Sequence, residues 1–152
     1  MKRILAAVDG SEPALKALDF AAQLASETRA ELVVLTVVEE LYVGDGALRQ
    51  FARSEHLGTS RGDLSEMRAK EVLGDAEARV ASRPDLRWRA DWRAGHPAGE
   101  LIRYAKEQGC DLVVVGHVGR SQLLGAVLGS IAFKLVTLCS CPVTVVGPAN
   151  RP

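Results

Sequence analysis

Short apolar runs alternate along this chain with longer stretches whose apolar positions recur every three or four residues. Arg3–Val8 and Glu31–Val38 read as buried strands. In Leu86–Arg93, Leu86, Trp88, Ala90 and Trp92 interleave with Arg87, Arg89, Asp91 and Arg93, the period of a strand with one solvated face. Leu112–Val115 is wholly apolar, and Pro142–Val146 reads as a last strand whose opening proline suits a strand start or a sheet edge. Between these runs the period becomes helical. Ser11 is placed to cap a first helix, with Glu12 and Pro13 in its opening turn and Leu15, Leu18, Ala22 and Ala25 along one side. A second helix is predicted over Leu64–Ala81, with Met67, Val72, Ala76 and Val80 facing inward. A third runs from Pro97 to a stop at Gly109 and buries Leu101, Ile102 and Ala105. A fourth begins near Ser130 and buries Ile131, Leu135 and Val136. Alternation of this kind implies a parallel α/β sheet covered on both faces.

Glu39–Asp63 breaks the pattern, with Gly44, Gly46, Gly58, Gly62 and mixed charges. It is expected to be a long mobile loop with a short helix near Leu48–Arg53. No internal repeat is present, so residues 1–152 are expected to form one domain. Lys+Arg and Asp+Glu both number 19, which argues against a nucleic-acid binder. The longest apolar runs, Leu32–Val38 and Leu112–Val115, are far short of the about 20 residues a membrane span needs. The apolar stretch behind Lys2 and Arg3 meets Asp9 too soon for a secretory signal, so a cytoplasmic location is expected. Cys110, Cys139 and Cys141 fit that compartment as free thiols, and three scattered histidines do not suggest a metal site.

The chemistry is concentrated after the strand Leu112–Val115. Gly116-His-Val-Gly119 is followed by nine residues and then by Gly129-Ser130 at a helix start. Glycines let the backbone approach phosphate oxygens, and the unpaired N–H groups of a helix start point at them. Ser130 adds a hydroxyl donor. Asp9 ends the first strand, and open α/β sheets bind ligands beyond the carboxyl ends of their strands, where strand order reverses. If strands one and four are neighbours, Asp9 and Gly116 face one crevice, where a carboxylate suits a ribose hydroxyl or a metal-bound phosphate. The other reading of Asp9 is a cap on the turn at Gly10–Ser11.

These residues resemble the universal stress protein family. Gly116-x-x-Gly119, nine residues and Gly129-Ser130 match the ATP-binding signature of its nucleotide-binding branch. Ala7-Val-Asp-Gly-Ser11, Leu35-Thr-Val37, Gly95-His-Pro97 and Cys141-Pro-Val143 also stand where the family has them. The resemblance implies a Rossmann-like sheet of five parallel strands in the order 3-2-1-4-5, with helices on both faces. It implies a homodimer through the last strand, Pro142–Val146. It also implies a bound adenine nucleotide (ATP, or ADP or AMP), with any Mg²⁺ carried on the phosphates and contacted by Asp9. The Val37 backbone would pair with the adenine edge. Gly116, Gly119, Gly129, Ser130 and the Ile131 amide would hold ribose and phosphates, with Ala7, Val115 and His117 lining the site. Two positions depart from the family pattern: His117 follows the first glycine while Val118 fills the usual histidine position, and Phe133 replaces a common acidic residue.

Other residues have plainer readings. His117 has no partner carboxylate or nucleophile fixed beside it by sequence. Arg120 suits a terminal phosphate or a solvated loop. Trp88 and Trp92 suit a core or an interface, and Arg83, Arg87, Arg89 and Arg93 the wet side of a strand. The expected function is a nucleotide-binding regulatory or stress-response protein, with the nucleotide biasing conformation or partner choice. A slow ATPase or nucleotidyl transferase is the enzymatic alternative. It is weakened by the absence of a Walker Gly-x-x-x-x-Gly-Lys-Ser/Thr pattern and of Gly-x-Gly-x-x-Gly after the first strand. A dimeric scaffold without nucleotide is the third reading.

Overall fold

The periodicities of the sequence map onto alternating strands and helices. In the computed structural model, which describes residues 1–39, 61–120 and 128–148, they are β1 (Arg3–Ala7), α1 (Glu12–Thr28), β2 (Glu31–Val38), α2 (Arg61–Ala81), β3 (Trp88–Ala94), α3 (Pro97–Glu107), β4 (Leu112–Gly116), α4 (Ser130–Leu138) and β5 (Val143–Val146). The strands form one parallel sheet in the order β3-β2-β1-β4-β5. Central β1 pairs Ile4 with Leu32 on one side and with Leu112 on the other.

Strand alternation divides the core in two. Ile4 and Ala6 join Leu32, Val34 and Val114 beneath α1 and α2, whereas Leu5 and Ala7 join Val33, Leu35, Val113 and Val115 beneath α3 and α4. Residues buried on both faces explain why β2 and β4 read as nearly continuous apolar runs. The inner stripe of α1 includes Ala14, Ala17, Ala21, Ala22 and Ala25, all buried, so its backbone can lie close to the sheet.

The boundaries of α1 are set locally. Ser11 is extended and its Oγ accepts a hydrogen bond from the Ala14 N–H at 3.3 Å, while Pro13 occupies the first turn, where no intrahelical donor is needed. The helix stops at Arg29, in the left-handed region at φ 56°, and the Ala30 N–H reaches back 2.9 Å to the Ala25 carbonyl. Arginine is an uncommon choice there, since its Cβ crowds the backbone.

Several sequence expectations need correction. Helix α2 begins at Arg61, so the irregular segment is shorter than Glu39–Asp63, and the helix expected near Leu48–Arg53 lies outside the described residues. Met67 and Val136 are each 55% exposed instead of inward-facing. Both follow the helical period, but each lies one position off the stripe that meets the sheet. β3 starts at Trp88 and runs to Ala94, with Leu86 buried just before it. Its polar side is not simply wet: α3 covers part of it and supplies Tyr104, 1% exposed. The Arg89 guanidinium donates to Tyr104 Oη at 2.8 Å and to Gln108 Oε1 at 2.9 Å, and Tyr104 Oη donates to Asp91 Oδ2 at 2.9 Å. Burial, reinforced by the Asp91 carboxylate, pushes the Tyr104 hydroxyl above its usual range. Glu31 bridges Arg3 and Arg89, and the hydrogen bond from Arg3 leads in holding its carboxyl below the usual range. Trp88 and Trp92 pack half-buried against the opposite core, as expected.

The three cysteines are free thiols, with Cys139 Sγ and Cys141 Sγ 3.5 Å apart. Burial pushes Cys110 up to about 11 and Cys141 up to about 12.

Replacing Arg29 with glycine should remove the left-handed strain while keeping the backbone carbonyl that accepts from Arg87. The expected gain is about 0.5–1 kcal/mol in urea unfolding, after the entropy cost of the glycine. An unchanged or lower midpoint would mean that the Arg29 side chain contributes more than its backbone costs.

Candidate functional site

The chain leaves β3 at one edge of the sheet and returns to β4 on the far side of β1. The connections after β1 and β4 therefore diverge, to α1 on one face and to α4 on the other. A cleft opens between them at the carboxyl ends of the strands, as expected at a switch point. Its walls are apolar: Ala7, Leu35, Val37, Leu101 and Val115 from the strand ends and α3, with Pro97 at the start of α3. Its far end is formed by Gly119 and by Gly129, Ser130, Ile131 and Ala132 at the start of α4.

That end is open to an acceptor. Gly129 is the extended N-cap of α4, without a side-chain capping bond. The first intrahelical bond runs from the Phe133 N–H to the Gly129 carbonyl at 2.9 Å, which leaves the N–H groups of Ser130, Ile131 and Ala132 without helical partners. Ser130 is exposed, so its hydroxyl is accessible. Asp9 is the single ionisable side chain among the described residues lining the cleft. Its Oδ1 accepts from the Ser11 N–H at 2.9 Å and its Oδ2 from the Arg120 N–H, also at 2.9 Å. The turn-cap reading of Asp9 is therefore correct, and the same carboxylate also faces the cleft and clasps the loop after β4.

The motif glycines are explained by the protein's own packing. A Cβ on Gly116 would lie 2.8 Å from the backbone of Pro13, where the start of α1 crosses the end of β4. A Cβ on Gly119 would lie 2.9 Å from Asp9 Oδ2, and one on Gly129 would lie 3.2 Å from the Cα of Val118. None of the three has the positive φ found at Gly10, Gly95 and Gly109. The Gly129 N–H also donates to the His117 carbonyl at 2.6 Å, pinning together the two ends of the nine-residue insertion.

Of the residues singled out in the sequence, Ala7, Asp9, Val37, Val115, Gly116, Gly119, Gly129, Ser130 and Ile131 all line this cleft. His117 and Arg120 do not. Just past β4, His117 gives its N–H to the Val146 carbonyl at the β5 edge, and its Nδ1 is buried without a hydrogen-bond partner among the described residues. Val118, buried, takes the lining position instead. Arg120 contributes its backbone N–H to Asp9. Phe133, 60% exposed, is on the outside of α4, so that departure from the family pattern does not face the cleft. Val8, Ala14, Leu35, Leu101, Leu128 and Ala132 also line the cleft without having been singled out as site residues. Their signal was present as apolar residues at strand ends and helix starts, but core residues give the same signal.

The universal stress protein family model matches residues 1–147, and the chain belongs to that family. It is 34% identical over 145 residues to the universal stress protein YxiE of Bacillus subtilis, covering 95% of this chain and 97% of the relative. The universal stress protein UspA of Lactobacillus plantarum has the same fold, with TM-score 0.78, 27% identity and coverage of 95% and 97%. A universal stress protein solved in complex with cAMP shares the fold at TM-score 0.68 and 24% identity, with coverage of 95% and 96%.

The glycine contacts make separable predictions. Gly119→Ala should destabilise the fold by about 1–3 kcal/mol through overpacking against Asp9, and adding Asp9→Ala should recover part of that loss. Gly116→Ala should incur a similar cost that Asp9→Ala leaves unchanged, because its obstacle is the Pro13 backbone. Denaturant midpoints of the single and double variants measure both. Additive effects at Gly119 and Asp9 would contradict the clasp.

Proposed function

We propose that the protein binds an adenine nucleotide in this cleft and uses it to bias conformation or the choice of a protein partner, as a nucleotide-binding universal stress protein. One observation carries the reading: an apolar slot at the switch point leads directly to a helix start without a side-chain cap, where three N–H groups have no partner among the described residues and a serine hydroxyl is exposed. A base fits the first part and a phosphate the second. Universal stress proteins of the same fold bind cAMP and dAMP, and one from Arabidopsis thaliana binds AMP, which supports this assignment. In this reading the Val37 backbone pairs with the adenine edge. Gly119, Gly129, Ser130 and the Ile131 amide hold phosphate, and Asp9 meets the ribose or a nucleotide-borne Mg²⁺. Among the described residues no group of three His, Cys, Asp or Glu side chains could hold a metal, so a cation would arrive with ATP or ADP.

The packing role of Gly116, Gly119 and Gly129 favours a second reading, a scaffold without nucleotide in which the motif survives because the fold needs it. Replacing Ser130 with glutamate separates the two. A carboxylate at the first position of α4 suits the helix dipole and sits on an exposed residue, so the fold should be kept. It would stand where the phosphate goes. Mass spectrometry of the denatured protein should release an adenine nucleotide from wild type. Titration should show Ser130→Glu losing nucleotide affinity at least about tenfold while its melting temperature holds. Absence of bound or titratable nucleotide in wild type would leave the scaffold.

The homodimer belongs to the same proposal. The edge strand β3 is guarded by Arg89, Asp91 and Arg93, whereas β5 is Val-Thr-Val-Val, half-buried and without charge. Beside it α4 exposes Phe133 and Val136. Light scattering at micromolar concentration should give twice the chain mass. A monomer mass would remove this part of the proposal.

A further inference from the structure

We infer that Cys139 and Cys141 form a thiol–disulfide exchange site, a dithiol that a low-molecular-weight disulfide oxidises to a reversible intramolecular bridge. The inference is independent of the nucleotide reading. The pair stands where α4 ends and the chain turns into β5, within a stretch, 128–148, that is described throughout. The Cys139 N–H makes the last backbone bond of α4, to the Leu135 carbonyl at 2.9 Å, and Cys139 itself is extended. Just after Cys141, the Pro142 carbonyl accepts from the Val113 N–H at 3.0 Å and ties the start of β5 to β4. Both ends of the link are therefore fixed. The turn between them, at exposed Ser140, brings the two sulfurs to 3.5 Å, with one thiol donating to the other. An S–S bond is about 2.05 Å long, so closure needs an approach of about 1.5 Å, the scale of a side-chain rotation.

The attacking species in such an exchange is a thiolate. Burial, reinforced by the hydrogen bond with Cys139, pushes Cys141 up to about 12, and burial pushes Cys110 up to about 11, so neither supplies a thiolate readily. Cys110 is also buried, whereas Cys139 is only half-buried, so Cys139 is the entering sulfur. Its thiolate attacks one sulfur of the oxidant RSSR, forms a mixed disulfide and releases RS⁻. Once Cys139 is in that mixed disulfide it no longer holds the proton on its neighbour. Cys141 then gives up its proton and attacks Cys139 Sγ, displacing the second RS⁻. The two thiol protons end on the two leaving thiolates. The protein loses two electrons and two hydrogens, and RSSR becomes two RSH. A bridge spanning one residue closes a small, strained ring, and strained or accessible disulfides are the readily reduced ones. That suits exchange better than a structural staple. Metal binding is not the competing use, because the described residues contain no group of three His, Cys, Asp or Glu able to hold an ion.

The test uses the full chain, reduced and desalted, in anaerobic buffers of graded reduced and oxidised glutathione. Samples are quenched in acid, alkylated in denaturant and read by intact mass and peptide mapping. Reduced protein should take three alkyl groups, one for each cysteine. Oxidising buffers should lower this to one, at Cys110, with the bridge mapped to Cys139 and Cys141 and removed again by reduced glutathione. Cys141→Ala should retain a glutathionyl group at Cys139. Cys139→Ala should form neither bridge nor mixed disulfide, and Cys110→Ala should bridge as wild type does. The oxidised protein should still melt cooperatively. Three alkylated thiols in fully oxidised glutathione would overturn the inference, as would a bridge to Cys110 or one between two chains. Loss of the cooperative transition on oxidation would also overturn it, since the bridge would then belong to the unfolded chain. A glutathionyl group on Cys141 in Cys139→Ala would overturn the assignment of Cys139 as the entering sulfur.

Discussion

Asp9 holds together the place where the sheet's topology pulls apart. The order β3-β2-β1-β4-β5 sends the connection after β1 to one face and the connection after β4 to the other, so nothing in the strand ladder joins the two. The Asp9 carboxylate does, accepting the Ser11 N–H from the first connection and the Arg120 N–H from the second. Left unpaired in its partly buried turn, the Ser11 N–H would cost about 1–3 kcal/mol, while the exposed Arg120 N–H would turn to water and release the loop after β4. The position of Gly119, and through it the mouth of the cleft, therefore depends on a carboxylate that also faces any ligand. Structural support and the electrostatics of the site reside in one side chain.

Much of this fold was legible because its strands are buried on both faces. Glu31–Val38 and Leu112–Val115 could hardly be anything but interior parallel strands, and Ser11, Pro13 and Pro97 marked helix starts that hold within a residue. Legibility failed where one-dimensional period meets three-dimensional coverage. Arg87, Arg89, Asp91 and Arg93 alternate as a solvated face would, yet α3 lies over part of that face and turns its charges into a bonded set around Tyr104. No window on β3 alone contains Tyr104. Likewise Met67 and Val136 carry the right period, but the sequence does not state which side of a helix meets the sheet. Within the site, nine of the eleven residues singled out line the cleft. The two that do not, His117 and Arg120, both lie in the loop after β4, where the period of the strand no longer says which way a side chain faces.

The glycine motif teaches a narrower lesson. A glycine at a strand end can be required by a ligand or by another part of the chain, and the sequence is the same in both cases. Here Gly116 makes room for Pro13, Gly119 for Asp9 and Gly129 for Val118. The two requirements are nevertheless connected. Bringing α1 onto the end of β4, and the start of α4 onto Val118, is what directs the open N–H groups of Ser130 and Ile131 toward an apolar slot. Packing explains why these residues are glycines, and the geometry that results is suited to an anion. The motif is therefore weaker evidence for a nucleotide than its specificity in sequence suggests, and the uncapped end of α4 is stronger evidence.

Under the proposed function, helix α4 is the physical route from ligand to partner. Its first residue closes the cleft, its outer face exposes Phe133 and Val136, and its last leads through Cys139 and Cys141 into the unguarded edge strand β5. Nine residues of helix span only about 14 Å. A helix this short behaves as a rigid rod, so under that reading a phosphate drawing its start toward Gly119 would also shift or tilt the surface beside β5. The opposite edge, β3, also reaches the cleft through Pro97 and Leu101 of α3, but that edge is guarded by charge. If a nucleotide biases what this protein assembles with, the β5 edge is where the fold makes that bias felt.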